Sequence, residues 1–98
     1  MKIVKEYFVR AMDIWASPNR IVTLKIAKNW RFLAIYADGQ ENECIEIFAE
    51  IDTTEPVIEQ PIYVVYAEEQ LPTGLGRYLG TVKLGPSMTY HVYLGGMT

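Results

Sequence analysis

Apolar residues recur at every second position through most of this chain, and that period restricts it to β-strands more tightly than any other feature. Residues 43–51 show it most cleanly. Ile45, Ile47, Ala49 and Ile51 fall on one face of an extended segment, with Cys44, Glu46, Phe48 and Glu50 on the other. A helix would scatter these two sets around its circumference, whereas a strand sorts them to opposite sides. Residues 20–27 repeat the pattern, with Val22, Leu24 and Ile26 on one face, and in 31–37 Leu33, Ile35 and Ala37 alternate with Phe32, Ala34 and Tyr36. Residues 2–10, 62–67, 78–84 and 88–94 read as the remaining strands. Both faces of 62–67 are apolar, which places that strand at the centre of a sheet or under cover on both sides.

Turn chemistry separates these segments. Pro18 and Asn19 close a loop over 13–19, Lys28-Asn29-Trp30 turns the chain, and Gly39 after Asp38 supplies positive φ for a hairpin. Pro56 and Pro61 mark a further loop, 71–76 is a Pro/Gly loop, and Gly85-Pro86-Ser87 joins the last two strands. No segment carries a helical stripe; residues 58–60 form one short turn at most. The expectation is an all-β single domain over 1–98, a small antiparallel barrel or sandwich of about six to seven strands. Its core should contain Val22, Leu24, Ile26, Leu33, Ile35, Ile45, Ile47, Val64, Val82, Tyr90 and Val92.

A chain of 98 residues that is 50% apolar and 21% charged can bury one core and is not disordered. No apolar run reaches the ~20 residues of a membrane span. Charge arrives too early after Met1 for a signal peptide, and the single cysteine, Cys44, suits a reducing compartment, so a cytoplasmic location in a host cell is expected. One histidine and one cysteine exclude a Cys/His zinc site within the chain, and neither a metal nor another cofactor is expected.

Charge is segregated. Residues 1–31 hold seven basic and two acidic side chains, whereas 32–76 hold ten acidic ones and no Lys or Arg. Basic and acidic strands lying side by side would account for this. The sharper alternative is an exposed acidic face, with Glu41, Glu43, Glu46 and Glu50, that mimics nucleic acid in a partner protein's basic groove. Net acidity argues against gripping duplex DNA by its phosphates.

Candidate chemistry is sparse. His91 lies opposite in phase to Met88, Tyr90, Val92 and Leu94, sharing its face with Thr89 and Tyr93. It reads as a surface or half-buried histidine, or as a ligand contact on a polar-aromatic face. A Cys44–His91 nucleophile–base pair requires adjoining strands and shows no orienting group. Glu41 and Glu43 have the spacing of paired glycosidase carboxylates, about 6.8 Å along a strand, but the chain leaves little room for a sugar cleft. Thr73-Gly74-Leu75-Gly76-Arg77-Tyr78 is the best ligand-binding segment: its glycines let backbone approach a ligand, Arg77 can clamp a phosphate and Tyr78 can stack on a base. An ordinary hairpin loop explains the same residues. Trp15 and Trp30 plug the ends of the domain or anchor a partner.

Tyr78-Leu79-Gly80-Thr81-Val82, a turn, and then His91-Val92-Tyr93 resemble the ending of a family of small uncharacterised phage-encoded β-rich proteins. Glu6-Tyr7-Phe8-Val9 and Val22-Thr23-Leu24 fit the same layout. The family's Gly-Thr-Gly turn is replaced here by Ala67-Glu68-Glu69, and its tryptophan before the histidine by Tyr90. The resemblance implies a phage origin and carries over no functional residue. In that setting the expected function is non-enzymatic: evasion of host immunity by an oligomer that sequesters a nucleotide signal, with Thr73, Gly74, Gly76, Arg77, Tyr78, His91 and Tyr93 as contacts. The alternatives are the acidic mimic, which blocks a host nucleic-acid-binding complex as an anti-CRISPR protein does, and a minor virion component. Partners are then a second copy, a small nucleotide or a host defence protein, and no membrane.

Overall fold

The computed structural model describes residues 1–17, 19–38, 43–84 and 88–95. Seven strands and one short helix follow in the order β1 (Lys2–Arg10), α1 (Ala11–Ala16), β2 (Ile21–Ala27), β3 (Arg31–Asp38), β4 (Cys44–Asp52), β5 (Val57–Tyr66), β6 (Leu75–Leu84) and β7 (Met88–Gly95). They form a sandwich of two antiparallel sheets, β1-β4-β3 and β2-β5-β7-β6. Alternation dictates what each sheet buries. Ile45 and Ile47 of β4 are fully buried in the main core with Ile62, Val64, Val82, Tyr90 and Val92 of the second sheet, whereas Ala49, also fully buried, belongs to a smaller satellite core. The satellite holds Ile26, Ala27, Ala49 and Ile51, with Tyr7, Trp30 and Ile58 packed against it.

Strand pairing brings part of the segregated charge side by side. Lys2 of β1 pairs in register with Asp52 of acidic β4, Arg31 at the start of β3 with Glu50, and Lys25 of β2 with Glu59 of β5. β5 is central as expected, and Val65 on its outer face is buried among Trp15, Ser17, Arg20 and Pro72.

Four local expectations are corrected. Residues 11–16 are helical rather than loop: Ala11 and Ile14 lie one turn apart and both are buried. Leu33 leaves the core at 39% exposure, because a bulge between Phe32 and Ala34 inserts it as an extra residue. Phe32 and Ile35 pack inward instead, Ile35 being half-buried like Val22. β5 begins at Val57 and runs through Pro61. Val64 N–H donates to Arg20 O (2.9 Å), so by alternation residue 61 points toward β7, whose ladder with β5 starts only at Ile62. Proline's missing donor is therefore not needed there. Finally, β6 starts at Leu75, within the segment read as a binding loop. The hairpin turns expected around Gly39 and Gly85-Pro86-Ser87 lie outside the described residues.

Candidate functional site

The sequence reading used Arg77 and Tyr78 together as contacts of one binding segment, 73–78. In the structure both belong to β6, and neighbouring residues of a strand point to opposite faces. One ligand cannot use both side chains in the way a loop would allow. Of the proposed contacts, Tyr78, His91 and Tyr93 come together on the outer face of the four-stranded sheet. Arg77 turns the other way, toward the first sheet. Thr73 and Gly74 sit in the exposed turn before β6, with Gly74 at φ +81°. Gly76 serves packing: a Cβ there would lie 3.1 Å from Leu94 O and 3.2 Å from Gly95 O. Its glycine admits β7 rather than a ligand.

Arg77 enters a groove of about 540 Å³ where the two sheets part. Lys28, Asn29 and Trp30 come from the β2–β3 turn, in which Asn29 takes φ +62°, a conformation asparagine tolerates. Arg31 and Phe32 open β3, Ile58 and Gln60 belong to β5, and Leu94 to β7. The Arg77 guanidinium lies 5.7 Å above the centre of the Phe32 ring. Arg31 remains 68% exposed, with Glu50 3.6 Å from its guanidinium, and Trp30 is half-buried. Gln60, the one buried polar side chain among the described residues, donates from Nε2 to Pro61 O (3.0 Å). Among the described residues, three cations and no carboxylate line this groove, around two aromatic rings. Such a surface supplies charge-assisted donors for an anion and flat apolar faces for a ring attached to it. Composition hides it, because Arg77 lies far along the chain from the Lys28–Arg31 stretch.

The sequence matches the family described as Domain of unknown function (DUF7352) over residues 11–96, from the start of α1 to just past β7. The chain belongs to that family. No curated protein and no solved structure matches it. All the groove residues of this DUF7352 domain fall inside the matched span, whereas β1 precedes it.

The other candidates separate. Cys44 is buried at the start of β4 in one sheet, whereas His91 lies half-buried on the outer face of the other. His91 Nδ1 is 2.8 Å from Thr81 Oγ1, which is in turn hydrogen-bonded to the Tyr78 hydroxyl. Trp15, on α1, donates from Nε1 to Tyr90 Oη at 2.9 Å and so closes one end of the core. Glu46 and Glu50 flank Phe48 on the outer face of the three-stranded sheet, Glu43 is exposed just before β4, and Glu41 lies outside the described residues. Among the described residues no group of three or more His, Cys, Asp or Glu is placed to hold a metal, and no helix is long and apolar enough to cross a membrane.

Proposed function

We propose that this DUF7352 domain is a non-enzymatic binding protein that captures an anionic nucleotide in the groove between its sheets. One observation carries the reading: Lys28, Arg31 and Arg77 converge around Trp30 and Phe32 with no lining carboxylate among the described residues. Phosphates would accept hydrogen bonds from the three cations, and the base would lie against the indole or phenyl ring. Of the contacts expected from the sequence this keeps Arg77 alone, and leaves out Thr73, Gly74, Gly76, Tyr78, His91 and Tyr93. The resemblance to phage-encoded proteins supplies the setting, removal of a host's nucleotide immune signal inside the host cell.

Self-association belongs to the same reading. β1 is an edge strand that exposes Val4 and Phe8, at 62% and 54%, and its open backbone edge can pair with a second copy. Sedimentation at micromolar concentration is expected to show a species heavier than the 11.2 kDa chain.

Calorimetry against cyclic di- and trinucleotides and cyclic ADP-ribose isomers tests the capture. A saturable heat is expected with at least one of them, weakened about tenfold or more by Arg77→Ala, together with a change in Trp30 fluorescence. Arg77 is exposed, so its truncation leaves the core intact. No heat with any nucleotide overturns the reading. Salt-sensitive capture of a basic host protein would then favour the acidic mimic, for which the placement of Glu46, Phe48 and Glu50 beside exposed Phe8 and Tyr36 is the supporting observation. If neither appears, a virion role takes first place.

A further inference from the structure

The outer face of the four-stranded sheet carries a second recess, of opposite polarity, that nucleotide capture does not use. Cross-strand register places Tyr63, Tyr93 and Tyr78 in one row across β5, β7 and β6. The Tyr78 and Tyr93 rings stand 5.3 Å apart at 55°, a tilted pair rather than a flat stack. The next row brings Thr81 opposite His91, and a hydrogen-bond chain runs from the Tyr78 hydroxyl through Thr81 Oγ1 to His91 Nδ1. Tyr66, Leu71 and two carboxylates, Glu68 and Glu69, complete the walls of a space of about 410 Å³. Among the described residues no lysine or arginine lines it.

Electron-rich ring faces meeting at an angle, closed by carboxylates, attract a positive charge and repel a phosphate. The same neighbourhood already shows this chemistry. The Arg20 guanidinium lies 5.0 Å from the centre of the Tyr66 ring, and its Nε is 3.4 Å from Glu69 Oε1. Glu69 is thereby partly neutralised and also accepts from Tyr66 N–H at 2.8 Å. Glu68 is exposed and makes no ion pair among the described residues. A bare ammonium would give up strong hydration to enter, whereas alkylation removes its N–H donors and spreads its charge over methyl groups that can contact the rings.

We infer that this recess binds an alkylated ammonium group, carried either by a free quaternary cation or by a methylated lysine side chain. Tyr78 and Tyr93 supply the ring faces, Glu68 the counter-charge, and Leu71 an apolar wall. The site is independent of the nucleotide groove, because Arg77 and its partners lie on the opposite face of β6.

An NMR titration of the full chain with choline, with its uncharged carbon isostere 3,3-dimethylbutan-1-ol, and with a peptide bearing trimethyllysine tests this. Choline is expected to shift the amide signals of Thr81, His91 and Tyr93 saturably, and the isostere to bind about tenfold more weakly or worse. Tyr78→Ala should abolish the response and Tyr78→Phe, which keeps the ring, should retain it. Tyr78 is 51% exposed, so neither change removes a core contact. Glu68→Gln should weaken binding, and Arg77→Ala should leave it unchanged. Tighter binding of the peptide than of choline identifies the side chain as the source; equal or weaker binding identifies the free cation. Equal affinity for choline and its isostere, no saturable shift with any probe, or an undiminished response in Tyr78→Ala overturns the inference.

Discussion

Tyr90 is the largest side chain buried without exposure, and its phenol is held from two sides. Trp15 Nε1 donates to it at 2.9 Å, and it donates to the Tyr66 hydroxyl at 3.0 Å. Tyr66 also packs ring to ring against it, with centroids 4.6 Å apart. Desolvation, reinforced by the bond to Tyr66, pushes the Tyr90 phenol up from its ordinary 10.0 to about 12. A folded-state value raised in this way means that the folded protein keeps a proton the unfolded chain releases. The associated stability is complete below pH 10 and is lost as pH rises toward 12. Tyr90→Phe is expected to cost about 1 kcal/mol at neutral pH by stranding its two partners, and to flatten the alkaline fall in stability between those values. Denaturant melts at pH 8 and pH 11 measure both. The sequence marked Tyr90 as a core residue correctly, but its hydroxyl partners sit on α1 and β5, and no local pattern names them.

Short elements were the least legible. α1 spans six residues, too few for a helical stripe to repeat, and its N-cap, Arg10, makes no side-chain capping bond. It exists because Ile14, with no exposure, and Ala11 bury themselves against the sandwich, a tertiary cause rather than a propensity. Ile14→Ala is therefore expected to destabilise by about 2–5 kcal/mol, read as a lowered denaturation midpoint, and to loosen Trp15 from Tyr90. The bulge in β3 escaped the sequence for a related reason. Inserting Leu33 between Phe32 and Ala34 shifts the phase once, and an unbroken alternation through 31–37 looks equally good on paper. Gly80 shows what the sheets demand in return: a Cβ there would come 2.6 Å from Ile35 Cγ2, so β6 approaches β3 closely only through this glycine.

At the scale of the molecule, acidic and basic segments distant in sequence lie side by side, yet the three ion pairs among the described residues are exposed or only half-buried. Such pairs contribute about 0–1 kcal/mol each and are screened by salt. Raising sodium chloride from low concentration to about 1 M is expected to change unfolding free energy by no more than about 1–3 kcal/mol in total. A larger loss would mean that electrostatics, not the apolar core, holds the sheets together. The residue order by itself determined the β class, the approximate extents of most strands and most of the core, because the face a side chain takes follows from neighbours two positions away. It also singled out Arg77, Tyr78, His91 and Tyr93 as contacts of a single site. Only the tertiary structure decided that Arg77 joins Lys28, Arg31 and Phe32 on one side of β6, while Tyr78 joins His91 and Tyr93 on the other. The physical reason is that burial of apolar surface is non-directional: alternation tells each strand which face to hide, and only the simultaneous packing of both sheets selects which distant strand will cover it.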